Sequence, residues 1–282
     1  MPRSRGTTGA GCSTPGGHRI SAIDPEPDIL PGVHRLGSSL VSWYLVEDAG
    51  RLTAVDAGLP GFRGRLEPDL AALGHSLADI EALVLTHSDS DHTGLAAALR
   101  DAGARVLIHR ADESALRTGK RKSTDGSPID LARAFLRPNL WLFFGQMLHD
   151  GGAKPTKVEG AETFTDGDVL DVPGLPRIVA TPGHTPGHCA IYFERHKALF
   201  VGDELCTLNP INGSRGPQVM PALVNVSTPQ CHESLAPARC AEAPDCDGIS
   251  AAGGSDGSRL RSRAPGSPRP SGGCEAAGSA RR

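Results

Sequence analysis

Several common signatures are missing from this sequence, and each absence narrows the reading. The seven cysteines are an odd number and none forms a Cys-x-x-Cys pair, so neither a zinc ribbon nor a closed disulfide framework fits. Four of them, Cys231, Cys240, Cys246 and Cys274, lie near the C-terminal end and read as scattered thiols. No apolar run reaches the ~18–20 residues that cross a bilayer. The opening stretch, MPRSRGTTGAGCSTPGGHRI, is positively charged but has no apolar core of the kind a secretory signal needs. The expectation is a cytoplasmic protein with reduced thiols and no membrane contact. Net charge is −3, and no basic stripe with interleaved aromatics lies near the motifs described below, which argues against a nucleic-acid partner. There is no Gly-x-Ser-x-Gly elbow, so a serine hydrolase of that type is not indicated. No internal repeat is evident.

What remains divides into three regions. Residues 1–17 are rich in Gly, Ser, Thr and Arg and read as a flexible tail. Residues 18–230 read as one folded domain. LVSWYLVED (40–48) and RLTAVDAG (51–58) form two strands about the turn Asp48-Ala49-Gly50. FRGRLEPDLAALG (62–74) has helical spacing and stops at Gly74; IEALVLTH (80–87) reads as a buried strand. A helix (94–103), a strand (104–109) and a short helix ending at Gly119 follow. This alternation predicts an α/β architecture. The segment 129–150, IDLARAFLRPNLWLFFGQMLHD, is the most apolar helical stretch, interrupted by Pro138. It reads as a core or lid helix. ETFTDGDVLDVPG, RIVATPGH and HCAIYFERHKALFVGD supply later strands, with a hairpin turn at Glu194-Arg195-His196-Lys197. In residues 231–282 the only Leu, Ile, Val or Phe residues are Leu235, Ile249 and Leu260. Such a segment buries too little apolar surface to offset its ordering entropy. It reads as a low-complexity tail, of the composition a shifted reading frame near codon 231 would produce.

The chemistry concentrates at strand ends. THSDSDHTG (86–94) places His87, Asp89, Asp91 and His92 between an apolar strand and a helix. In α/β proteins, ligands gather at the carboxyl ends of strands. Imidazole and carboxylate donors suit zinc, and also iron or manganese; the competing reading is a polar helix-capping turn. TPGHTPGH (181–188) follows another apolar run and carries His184 and His188 on a tight loop. LFVGDEL (199–205) puts Asp203 at the end of a third. Three strand ends that each deliver ligand-type residues favour a metal site.

The ordered set LTHSDSDHTG, TPGHTPGH and LFVGDE, with VDAGLPG (55–61) before it, resembles the metallo-β-lactamase-fold hydrolase superfamily. The resemblance implies a four-layered αβ/βα sandwich with a one- or two-metal site at one edge, its C-terminal part here incomplete. Carried over, it makes His87 and His184 ligands of a first metal and Asp91 and His92 ligands of a second. Asp203 would bridge them, and Asp91 would also hold and deprotonate the attacking water. His188 and Asp56 would support the site from behind. Two departures stand out. Asp89 occupies the place of the family's second histidine in its His-x-His-x-Asp-His pattern. The family's last histidine is also missing, the only histidine after His196 being His232. The implied cofactor is one or two divalent metal ions, zinc first, manganese or iron as alternatives. The implied activity is hydrolysis of an ester, thioester, lactone or related bond of a small molecule. The alternatives are a single-iron oxygenase acting on sulfur, or a defective, non-catalytic protein of this fold.

Overall fold

A computed structural model describes residues 23–120, 123–152, 155–240, 247–249 and 259–261. The expected tail over residues 1–17 lies outside these. Four strands open the fold: β1 (Glu26–Leu30), β2 (Val33–Gly37), β3 (Ser42–Asp48) and β4 (Arg51–Val55). They pair antiparallel in sequence. Helix α1 (Leu66–Ala72) then crosses to β5 (Ile80–Val84), and α2 (Ala96–Asp101) crosses to β6 (Arg105–His109). Three helices follow, α3 (Glu113–Thr118), α4 (Pro128–Phe135) and α5 (Pro138–His149), before β7 (Glu162–Phe164) closes a seven-stranded sheet. Strands β4 to β7 are parallel, as helix-bearing crossovers require.

A second sheet comes from β8 (Arg177–Ala180), β9 (Cys189–Phe193) and β10 (Ala198–Phe200). The predicted turn at 194–197 joins β9 to β10. A small hairpin, β11 (Cys206–Leu208) and β12 (Arg215–Gln218), leads to α6 (Thr228–Cys240). Two three-residue strands, β13 (Asp247–Ile249) and β14 (Arg259–Arg261), extend the second sheet beside β10. Helix α6 runs across the boundary expected at residue 230. Most of the stretch beyond it lies outside the described residues.

Strand periodicity assigns the layers. In β3, Trp43 and Leu45 join the cluster under α1 and α2, with Leu66, Leu70, Leu95 and Leu99. Tyr44 and Val46 point the other way, into a cluster shared with Ile178, Ile191, Phe193 and Phe200 of the second sheet. A strand buried on both faces must be apolar at successive positions, not at alternate ones, which is why 43–46 reads WYLV. Helix α6 packs on β8 beyond the second sheet. The order helix, sheet, sheet, helix is the expected αβ/βα sandwich.

The apolar stretch 129–150 is the main correction. Pro138 splits it, as predicted, by sitting at the first turn of α5. A Ser127–Asp130 capping box starts α4. Neither helix is a core helix: Ala134 is the buried residue of α4 and Leu140 that of α5. Leu136, Trp141, Leu142 and Leu148 are more than half exposed. In α5 the apolar residues run round most of the helix, so burial of Leu140 leaves most of the others facing outward.

Gly94, where the metal-type loop meets α2, shows how tightly that loop is seated. A β-carbon there would lie 2.2 Å from the Leu59 carbonyl carbon and 2.4 Å from Gly58 O. Gly94→Ala is therefore expected to cost about 3 kcal/mol or more, read as a lowered midpoint in urea unfolding. A wild-type midpoint would contradict this packing.

Candidate metal centre

The predicted strand ends converge. His87 and His92 lie on the loop after β5, His184 and His188 on the loop between β8 and β9, and Asp203 on a 3-10 turn after β10. His87, His92, His184, His188 and Asp203 are all buried. Two groups of donor atoms form, each with its atoms within 4.8 Å of one another: His87, Asp89 and His184, and His87, His92 and Asp203. Asp89 Oδ2 lies 3.1 Å from His184 Nε2 and 3.8 Å from His87 Nε2. Asp203 spans the groups, with Oδ1 3.3 Å from His92 Nε2 and Oδ2 3.4 Å from His184 Nε2. Asp91 stands beside the second group, Oδ2 3.9 Å from His92 Nε2, and is the more exposed of the two neighbours.

Each imidazole is turned by a partner behind it. His92 Nδ1 donates to Asp56 Oδ2 at 2.9 Å, and His184 Nδ1 donates to Asn225 Oδ1 at 3.0 Å. Fixing the proton on Nδ1 leaves Nε2 to face the centre, the arrangement that supports metal-bound histidines. Asp56 also accepts from Thr86 N at 2.8 Å and from Thr86 Oγ1, and Thr86 Oγ1 reaches His87 Nδ1 at 3.0 Å. Asp56 holds a left-handed backbone (φ 58°), a conformation that costs a non-glycine residue energy and that these hydrogen bonds offset.

His188 uses both nitrogens inside the protein. Nδ1 donates to Thr181, and Nε2 accepts the Asp203 amide at 3.0 Å. It thus braces the Asp203 turn and is not placed to bind an ion. Burial pushes its pKa down to about 3, which keeps it neutral and able to accept. Gly202 permits this contact: it has φ +51°, and a β-carbon there would lie 2.7 Å from His188 Nε2.

The electrostatics call for a cation at the centre. Burial lowers the His92 pKa, but the Asp56, Asp203 and Asp91 carboxylates outweigh it and hold His92 well above the ordinary range. His184 is likewise raised, burial being overcome mainly by Asp89 and Asp203. Burial drives Asp91 upward, with His92 opposing. Asp203 Oδ1 is buried with no aligned hydrogen bond. Inward-facing Nε2 atoms, a buried carboxylate oxygen without an aligned donor and clustered negative charge suit a divalent ion bound through N and O donors.

Three supporting residues escaped the sequence reading. Asn225 sits in NVSTPQ, which looks only like a lead-in to a helix. Asp112 looks like an ordinary helix N-cap, yet its carboxylate accepts from Ser88 N, Thr185 Oγ1 and Gly187 N, tying the two histidine loops together. Thr86 carries no signal at all. Asn225→Leu is expected to weaken metal binding about 10–100-fold while leaving the fold intact, as measured by competition with a chromophoric chelator. Unchanged affinity would remove Asn225 from the site. His232 is exposed on α6 and does not replace the missing last histidine.

A third donor group, His34, Glu47 and His75, lies among the described residues at the opposite end of β3. His34 Nδ1 accepts the Asp28 amide at 3.2 Å, so its proton is on Nε2 and no lone pair faces Glu47.

The sequence profile of the metallo-beta-lactamase superfamily matches residues 36–239. The chain belongs to the metallo-beta-lactamase superfamily. Among superfamily relatives, the uncharacterized protein YobT of Bacillus subtilis is 30% identical over 58% of this chain and 61% of its own length. A hydroxyacylglutathione hydrolase of Erwinia tasmaniensis is 31% identical over 58% of this chain and 46% of its own length. The matched region thus spans about half to three-fifths of these relatives. A metallo-beta-lactamase family protein of Thermus thermophilus superposes with a TM-score of 0.55 at 26% identity, covering 79% of this chain and 74% of that one. The His and Asp groups of the centre could hold a divalent metal, as proteins of this superfamily fold do. No helix among the described residues is long and apolar enough to cross a membrane.

Proposed function

We propose that this chain is a metal-dependent hydrolase that cleaves an ester, thioester, lactone or related bond of a small molecule in the cytoplasm. The observation that carries the reading is the convergence of His87, Asp89, His92, His184 and Asp203 on one point, with the imidazoles turned inward by Asp56 and Asn225. His87, Asp89 and His184 would hold one ion; His92 and Asp91 would hold a second, with Asp203 between them. Zinc is the first choice. Such an ion polarises the scissile carbonyl and makes water acidic enough to attack near neutral pH.

The chain's own residues do the rest. Asp91, raised by burial and set at the margin of the centre, takes the proton of the attacking water and returns it to the leaving group. Asp56 and Asn225 keep the imidazoles from turning, and His188 holds the Asp203 backbone in place. The hydroxyacylglutathione hydrolase of Erwinia tasmaniensis, and that of Cereibacter sphaeroides at 32% identity, favour a thioester within this class.

One observation favours a second reading. His87, Asp89 and His184 make a group of two histidines and one carboxylate, the donor set of non-haem iron oxygenases. Asp89 creates that set by standing where a histidine is expected. The deciding experiment is elemental analysis of the purified chain together with assays on thioester, lactone and p-nitrophenyl ester panels. Zinc or manganese with hydrolysis supports the first reading. Iron, no hydrolysis, and oxygen uptake with a reduced-sulfur substrate supports the second. Less than about 0.1 equivalent of any metal after supplementation rejects both and leaves a non-catalytic protein of this fold.

A further inference from the structure

Asp112 holds the two histidine loops in a pattern that bears on the metal centre itself. It is buried, three residues beyond the end of β6, and its amide donates to His109 O at 2.9 Å. It occupies the N-cap position of α3, yet its side chain makes no capping hydrogen bond. An aspartate at a helix start ordinarily accepts from the helix's own amides; this one reaches away from α3. Oδ2 accepts from Ser88 N at 3.1 Å and from Thr185 Oγ1 at 2.7 Å, and Oδ1 accepts from Gly187 N at 2.7 Å.

These partners are the chain neighbours of the donor residues. Ser88 follows His87, Thr185 follows His184 and Gly187 precedes His188. One side chain therefore grips the residue next to each imidazole of the first donor group. It does so on the loop after β5 of the first sheet and on the loop between β8 and β9 of the second. Gly187 shows how closely the parts fit: a β-carbon there would lie 2.8 Å from the Asp112 Cβ, Cγ and N atoms. Its φ is not positive, so the approach of Asp112, not backbone conformation, requires glycine at this position. Other tethers of the His184 loop lead elsewhere. Val226 N donates to His184 O and Ser227 N to Gly183 O, both from the lead-in to α6, while Cys189 N donates to Thr86 O where the two loops meet their strands.

We propose that Asp112 is the positioning residue of the first metal position: by gripping Ser88, Thr185 and Gly187 it sets the spacing of His87 and His184 before an ion arrives. Donors held in place beforehand bind more tightly, because less ordering accompanies binding. The inference rests on the metal-dependent reading for its consequence, tighter and more regular coordination. Asp112 acts through the two histidines and does not touch the ion.

The test variant is Asp112→Asn in the full chain. It keeps the shape of the side chain, but whichever oxygen is replaced, an amino group then faces the amide N–H of Ser88 or of Gly187. The zinc dissociation constant should rise about 10–100-fold, measured by competition with a chromophoric chelator. The visible absorption of the cobalt(II)-loaded chain should change in position and intensity. In the metal-free chain, hydrogen exchange at the Ser88 and Gly187 amides should speed up by about tenfold or more, while amides of β3 and β4 keep their rates. Thr185→Val, which removes one of the three hydrogen bonds and leaves the carboxylate, should weaken zinc binding in the same direction and by less. It carries the test if Asp112→Asn does not fold.

A merely structural tether would lower the urea midpoint and leave the cobalt spectrum as in the wild type. That result, or wild-type zinc affinity in the folded variants, would overturn the proposal. Unchanged exchange at Ser88 and Gly187 would overturn it whether or not metal binds. A wild-type chain that takes up no metal, with the exchange contrast intact, would sink the hydrolase reading and leave the hold of Asp112 on the two histidine loops standing.

Discussion

Asp203→Ala is expected to abolish stable metal binding and to lower hydrolysis by at least ~10³-fold. No other residue of the centre offers one oxygen to each half: Oδ1 faces His92 at 3.3 Å and Oδ2 faces His184 at 3.4 Å. Removing it strips a ligand from the His87–His92 group and leaves a buried imidazole without its counter-charge. The polypeptide should still fold, because Asp203 belongs to no core cluster and the Val201 and Cys206 side chains that flank its turn remain. The measurement is metal content per chain, with circular dichroism as the control on folding. A folded variant that retains wild-type metal would show that Asp203 is not a ligand.

Asp89→His is expected to move metal preference toward zinc, with the zinc-to-manganese affinity ratio rising by about tenfold or more. Asp89 gives the first donor group a second oxygen-type character and an additional negative charge, which suits harder ions. A histidine removes that charge and restores three nitrogens around the first position. The Asp89 side chain is 12% exposed, so the larger ring has an outlet toward solvent. Loss of one negative charge also favours ionisation of the attacking water. The acid limb of the kcat/KM profile should therefore move to lower pH. Unchanged metal preference, measured by competition with both ions present, would mean that Asp89 does not contact the metal and that its place in the motif is incidental.

Much of this site is visible from the sequence because each donor loop is a local event. An apolar run that ends in Thr86-His87, in Thr181-Pro182-Gly183-His184 or in Gly202-Asp203 declares both the strand and the residue at its carboxyl end. Three such runs in one chain imply a shared edge, since the strands of a sandwich expose their ends together. Asp89 stands out as a departure only against the His-x-His-x-Asp-His pattern that the family resemblance supplies. Asp56 and His188 were placed behind the site by the family resemblance, and the rest of the supporting shell was not legible. Asn225 reaches His184 across 41 positions, and Asp112 reaches Thr185 and Gly187 across 73 and 75. Nothing in an isolated Asn or Asp distinguishes a cap or turn residue from one whose side chain is claimed by a distant loop.

The helices α4 and α5 show the complementary limit. Composition and spacing determine that 129–150 is helical and that Pro138 divides it, because these depend on neighbours within a few residues. Whether its apolar face is buried depends on whether another layer lies opposite, and no periodicity encodes that. In this protein, the sequence alone settled most of the strands and helices between residues 40 and 200, the donor types and the loops that carry them, all set by short-range backbone preferences and residue chemistry. The tertiary structure alone decided which nitrogens face inward, which carboxylate spans the two groups and which apolar surface stays open, because each of these is a contact between segments far apart in the chain.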